Sequence, residues 1–179
     1  MPLLIGLGVV VLLVLIWYVS ASNSLKRSVV KIDEATSGID VALTKRFDVL
    51  TKMLDITKAY AAHERATITE TINLRKGMSI AEKTEANRKM DSMANGINVV
   101  AEAYPELRSN ENFKQLQISV SDVEEHLQAA RRLYNGNVSA FNQAIVVFPK
   151  SIVAEMMKLV RKEFFQADEF KKSDVEMKF

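Results

Sequence analysis

From Leu3 to Val19 the chain reads LLIGLGVVVLLVLIWYV, with no charge, no proline and no strongly polar group. Every charged side chain follows it: the first lysine is Lys26 and the first acid Asp33. At 1.5 Å rise per residue a helix over Leu3–Ala21 spans roughly 28 Å, the thickness of a bilayer's hydrocarbon core. A single apolar segment satisfies its backbone in lipid only as a helix, because one strand cannot close a barrel. Leu3, Val10 and Leu15 would face acyl chains, and Trp17 and Tyr18 would sit at the headgroup level that amphipathic rings prefer. Gly6 and Gly8 lack the spacing of a tight helix-dimer motif. Val19-Ser20-Ala21 loosely fits a signal-peptide cleavage site, but Met1-Pro2 brings no basic residue and the apolar run is long, so an uncleaved anchor over 1–21 is expected. Lys26, Arg27 and Lys31 follow the run closely. The positive-inside rule then puts the amino terminus outside and the large domain in the cytoplasm.

The remaining residues suffice for one domain with its own core. Glycine (6) and proline (3) are scarce, and no proline lies between Pro2 and Pro105, which favours long helices. The net charge of +2 excludes an argument for nucleic acid. With no cysteine there is no disulfide, thiolate metal site or thiol nucleophile.

Apolar residues then recur at threes and fours. Ile32, Ala35, Ile39, Leu43, Phe47, Leu50, Leu54, Thr57 and Ala61 form one stripe, predicting a helix that leaves the membrane and runs to about Lys76, with a bend near Ser20–Ser24. Gly77 suits its end, and Ser79 or Ala81-Glu82 opens a second helix carrying Met90, Met93, Ile97, Val100 and Tyr104 up to Pro105. Asn110 reads as the N-cap of a third, whose stripe from Phe113 to Phe148 predicts about 36 residues, closed by Pro149. Ser151 opens a last helix to Phe165, with Ile152, Met156, Val160 and Phe164 as its ridge. The expected fold is all-α: an N-terminal transmembrane helix running into an up-and-down antiparallel helical bundle over 22–166, then a polar tail over 167–179. Short connections at Gly77–Ile80 and Pro105–Ser109 favour antiparallel neighbours.

These residues resemble the LemA family of bacterial membrane-anchored proteins. The marks are Asn23-Ser24-Leu25; Ile39-Asp40-Val41 with Lys45-Arg46-Phe47-Asp48; Tyr60 with His63-Glu64; Glu102-Ala103-Tyr104-Pro105-Glu106-Leu107; Asn110-Glu111-Asn112-Phe113; and Ala130-Arg131-Arg132 through Tyr134-Asn135, Val138, Phe141-Asn142, Ile145 and Phe148-Pro149. Val49-Leu50-Thr51-Lys52 departs from the family's usual proline-containing stretch, and Phe141 stands where tyrosine is common. The resemblance implies a helical bundle on one membrane helix in the bacterial inner membrane, a scaffold role and no established catalysis.

The residues themselves carry little chemistry. His63-Glu64 lacks the second histidine of a zinc helix, since Thr67 stands there, and Glu-x-x-His is missing at both His63 and His126. No metal, cofactor or catalytic residue is expected. Tyr104, Asn110, Arg131, Arg132 and Tyr134 read as structural polar groups, one of the arginines pairing with an acid. The candidate lipid or partner surface is Lys26, Arg27 and Lys31 together with Met156, Met157, Phe164 and Phe165 on the last helix, which otherwise packs on the bundle. Apolar residues over Val138–Phe148 exceed what that short helix can cover, inviting a second copy or lipid. The expected function is a non-enzymatic scaffold that homo-oligomerises and organises or remodels the membrane. The alternative is a tethered adaptor or sensor for an unidentified protein.

Overall fold

The computed structural model describes residues 1–60, 72, 74, 75 and 77–166. Among them the chain is helical with no strand: α1 (Pro2–Tyr60), α2 (Ile80–Ala103), α3 (Pro105–Ser109), α4 (Glu111–Val146) and α5 (Lys150–Met156). A long N-terminal apolar helix is followed by a helical bundle, as the pattern predicts.

Helix α1 has 59 residues, about 88 Å of rise, and is unbroken across Ser20–Ser24. The apolar stripe accounts for its length beyond the greasy run: Ile32, Ala35, Ile39, Leu43, Leu50, Leu54 and Thr57 are buried. Gly38 faces open space on this helix, since a side chain there would meet nothing within 4 Å. The expected continuation to Lys76 is not seen at Ile72, Leu74 and Arg75, which are not helical; Ala61, His63, Thr67 and Lys76 itself lie outside the described residues. Ile72 is instead buried.

Helix α2 starts at the expected place for a local reason. The Ser79 hydroxyl accepts the Glu82 N–H at 3.2 Å, and the Glu82 carboxylate accepts the Ser79 N–H at 2.7 Å. This capping box satisfies two backbone donors that a helix start leaves open. Pro105 ends α2 and becomes the first residue of the short α3. Asn110 caps α4 as expected, its Oδ1 accepting the Phe113 N–H at 3.1 Å, and α4 has the predicted 36 residues.

The last helix differs most from expectation. It stops at Met156 rather than Phe165. Leu159 N–H donates to the Ala154 carbonyl at 3.0 Å and Lys158 N–H to that of Glu155 at 2.9 Å. Lys158 is left-handed, φ 53°. This pair of bonds around a left-handed residue is a Schellman stop, usually made by glycine. Beyond it, residues 159–166 run without helix.

The helices form two compact units. The first combines Met1–Ser37 with Arg132–Phe164. Its core is Ala21, Leu25, Ile32, Ala35, Tyr134, Val138, Phe141, Ile145, Val153 and Ala154. Asn137 Nδ2 donates to the Lys31 carbonyl at 3.0 Å, and Lys150 Nζ donates to Ser24 Oγ at 3.3 Å, so α4 descends antiparallel to α1 here. Val138, Phe141 and Ile145 are therefore covered, contrary to the expectation of an open seam; the exposed apolar residues are Val146, Val147 and Phe148.

The second unit is built on Gly38–Arg131 and takes in Phe165. Arg46 meets Glu124, and Asn110 Nδ2 donates to the Tyr60 hydroxyl at 3.2 Å, so α4 again opposes α1. Asp40 pairs with Lys83 at 2.7 Å, while Arg46 reaches Asn87 and Asp91. Those contacts advance together along both helices, so α1 and α2 run parallel, unlike the antiparallel neighbours expected across Gly77–Ile80.

Candidate membrane-facing site

On α1 the side chains of Leu3, Val10 and Leu15 are all more than half exposed, as are their apolar neighbours through Ile16. Nothing in the first unit covers them until Ala21 and Leu25, which are buried. The helix is long and apolar enough to cross a membrane. This is compatible with a single-pass anchor. An apolar patch this large would be costly in water, at about 25 cal/mol per Å². Trp17 is exposed and Tyr18 partly so, at the end of the run.

Immediately beyond, Ser20, Asn23, Ser24, Arg27, Ser28 and Lys31 line a polar hollow of about 340 Å³. The three- and four-residue spacing puts them along one side of α1. The Arg27 guanidinium, the Lys31 ammonium and the Ser20 and Ser24 hydroxyls can donate to an anionic oxygen, while the Ser28 hydroxyl already donates to the Ser24 carbonyl at 3.1 Å. Lys150 on α5 adds a third cation at Ser24. Lys26 is exposed on the same stretch. The sequence-level basic group thus gains hydroxyl and amide companions, whose signal was the Asn23-Ser24 mark.

The second half of the expected surface is redistributed. Met156 and Phe164 are exposed; Met157 is half-buried, its Sδ accepting the Ser22 hydroxyl at 3.4 Å. Phe165 is not part of any exposed face. It is buried beneath the Arg131 guanidinium, 4.9 Å from its ring centre. A Schellman stop at Lys158 replaces the single amphipathic helix that would have aligned these residues.

The polar marks on α4 grip backbone. In the first unit the Tyr134 hydroxyl donates to the Glu163 carbonyl at 2.8 Å. Asn142 takes Lys162 from both sides, Nδ2 donating to its carbonyl at 2.9 Å and Oδ1 accepting its N–H at 2.8 Å. In the second unit Arg131 donates to the Gln166 carbonyl at 3.1 Å. These side chains replace the helical bonds that residues 159–166 lack. Burial, with smaller contributions from Glu163 and Asp33, pushes the Tyr134 phenol up, keeping it a donor. Arg132 and His126 are exposed.

Sequence reasoning missed Arg46. It is 2% exposed. Nη1 donates to Asn87 Oδ1 at 2.7 Å and to the Asn87 carbonyl at 3.1 Å, and Nη2 meets both Asp91 and Glu124. Its buried Nε has no partner among the described residues. Lys83, also buried, reaches Asp40. The Lys45-Arg46-Phe47-Asp48 stretch sets an arginine beside the apolar stripe without saying that it turns inward; once buried, it must find several acceptors.

Over residues 35–179 the chain matches the family model described as LemA family. It is 31% identical over 164 residues to a protein of Metamycoplasma hominis named Protein LemA, an alignment covering 89% of this chain and 75% of that relative.

Proposed function

The chain belongs to the LemA family, and from that premise we propose that it is a non-enzymatic, membrane-anchored scaffold that homo-oligomerises and organises or remodels the bacterial inner membrane. The observation that carries this reading is the bare apolar face of Leu3–Ile16, on a helix whose next turns enter a folded core. Arg27, Lys31 and Lys150 around the polar hollow would meet anionic headgroups, each worth about 1 kcal/mol near a membrane surface. The polar marks support a structural role, because Arg46, Asn110, Tyr134 and Asn142 are committed to holding helices and backbone in place. Val99 and Ile118 in the second unit, and separately Leu133 in the first, are exposed apolar side chains open to another copy. The proposed orientation is amino terminus outside and bundle in the cytoplasm, following Lys26, Arg27 and Lys31.

The test is the mass of the full chain in mild detergent together with the shape of vesicles that contain it. The reading expects several chains per particle and altered vesicles. A particle holding one chain, with vesicles unchanged, contradicts it. Orientation is read by placing a cysteine at exposed Ser92, since the chain has none of its own. Modification by an impermeant reagent from outside intact cells overturns the cytoplasmic assignment.

A second reading, a tethered adaptor for another protein, is favoured by a hollow of about 210 Å³ in the second unit, where Leu50, Met53, Ala94, Ile97 and Val120 are joined by Asn98, Gln117 and Ser121. Capture experiments with the anchor removed separate the two. An adaptor keeps its partner, whereas a bilayer organiser loses its function.

A further inference from the structure

We infer that the corner between α4 and α5 is a second membrane contact, with Val146, Val147, Phe148 and Ile152 seated in the interfacial layer of an anionic bilayer beside the anchor. The inference rests on reading Leu3–Val19 as lipid-embedded. If that run is embedded, the membrane surface lies close to Ser20 on α1. Contacts within the first unit then fix the height of the corner. Asn137 is bonded to the Lys31 carbonyl. From Asn137 to Val146 α4 advances about 14 Å, the distance α1 covers going back from Lys31 to Ser22. On the far side of the corner, Lys150 is bonded to Ser24 and Met157 to Ser22. The corner is therefore brought down to the turn of α1 that emerges from the bilayer.

What it presents there is apolar. Phe148 is 75% exposed, Val147 59%, Ile152 51% and Val146 50%. Ala140, Gln143, Ala144 and Pro149 complete a hollow of about 370 Å³ around Val147, Phe148 and Lys150. Exposed bulky residues at the tip of a hairpin, with Lys150 among them and further cations in the turns behind, are the composition of an interfacial insertion. The cations are Lys26, Arg27 and Lys31 on α1, Lys150 on α5, and Lys158, Arg161 and Lys162 after it; the acids on the same stretches are fewer, Asp33, Glu34, Glu155 and Glu163. The charge balance selects an anionic lipid surface, and the anchor supplies that surface at the right height.

The test uses the full chain in phosphatidylcholine vesicles containing phosphatidylglycerol, at a low ratio of protein to lipid. Single-cysteine variants Val147→Cys and Ile152→Cys carry an environment-sensitive dye, beside Leu12→Cys in the anchor and Gly136→Cys on exposed α4. The expected result is blue-shifted emission at 147 and 152, quenched by quenchers attached high on the acyl chains, with water-like emission at 136. Water-like emission at 147 and 152 with a quenched label at 12 overturns the inference and leaves the anchor intact. Blue-shifted emission at 147 and 152 that lipid-bound quenchers do not touch means a second copy covers the corner, which also overturns it. A label at 12 that quenchers placed deep on the acyl chains do not touch removes the anchor itself, and the inference with it.

Discussion

Arg46 holds α1 to two other helices through four acceptors, so its loss should exceed that of any single acceptor. Arg46→Ala strips a buried cation and leaves Asp91 and Glu124 without it. Because those acids are 20% and 28% exposed, the cost should fall at the low end for a broken buried pair, about 3 kcal/mol. Arg46→Lys should not restore it, since an ammonium cannot span Asn87, Asp91 and Glu124 as a planar fork does. Glu124→Gln should cost less, because Asp91 and Asn87 remain. Thermal unfolding of the detergent-solubilised chain checks the order, and equal losses for all three variants would contradict it. Periodicity alone could not show this residue: Arg46 neighbours the stripe residues Leu43, Phe47 and Leu50, and only its acceptors reveal that it faces inward. By contrast, Asn110 was legible at once, because a capping asparagine acts on the backbone three residues away.

At the scale of elements, local chemistry decides what the pattern leaves open. The starts of α2 and α4 were readable because capping is written within four residues. Ser79→Ala should cost about 1 kcal/mol by removing one side of the box, seen as a lowered unfolding midpoint. The Ser79 N–H, then Arg75, hold the Glu82 carboxyl below the usual carboxylate range. A depressed carboxyl stabilises the folded state above the unfolded value, and this is lost as pH falls through the lower folded value. Fraying at Ile80 should therefore appear only on the acid side of ordinary glutamate titration, and Glu82→Gln should remove that pH dependence. Amide hydrogen exchange at Glu82 and Lys83 measures it. The end of α5 was not readable, because Ile152, Met156, Val160 and Phe164 keep helical spacing while the stop comes from Lys158, a lysine in a glycine's conformation. A left-handed L-residue costs roughly 1–2 kcal/mol, so Lys158→Gly should be neutral or stabilising and Lys158→Val destabilising. The non-helical segment 159–166 depends on side chains of α4. Replacing Asn142 by Ala and Tyr134 by Phe together should speed tryptic cleavage after Arg161 and Lys162 with little change in helical circular dichroism. Unchanged cleavage would show that these hydrogen bonds do not hold it.

For the whole molecule, the greasy opening, the all-helical class and the long stripes were legible because they repeat over many turns. The direction of α2 was not. Helical spacing shows which residues turn inward and says nothing of whether a neighbour runs up or down. The ion pairs of Asp40 with Lys83 and of Arg46 with Asp91 decide it. Nor could the sequence show that Val138, Phe141 and Ile145 would be covered while the corner at Val147 and Phe148 stayed bare. That depends on how α5 folds back to Ser22 and Ser24. Anchoring, membrane organisation and the corner's membrane contact all require the apolar run Leu3–Val19 to lie in lipid. The most direct measurement is alkaline carbonate extraction of membranes containing the full chain. The account predicts that the chain stays in the membrane pellet; release of the intact chain into the supernatant would contradict it.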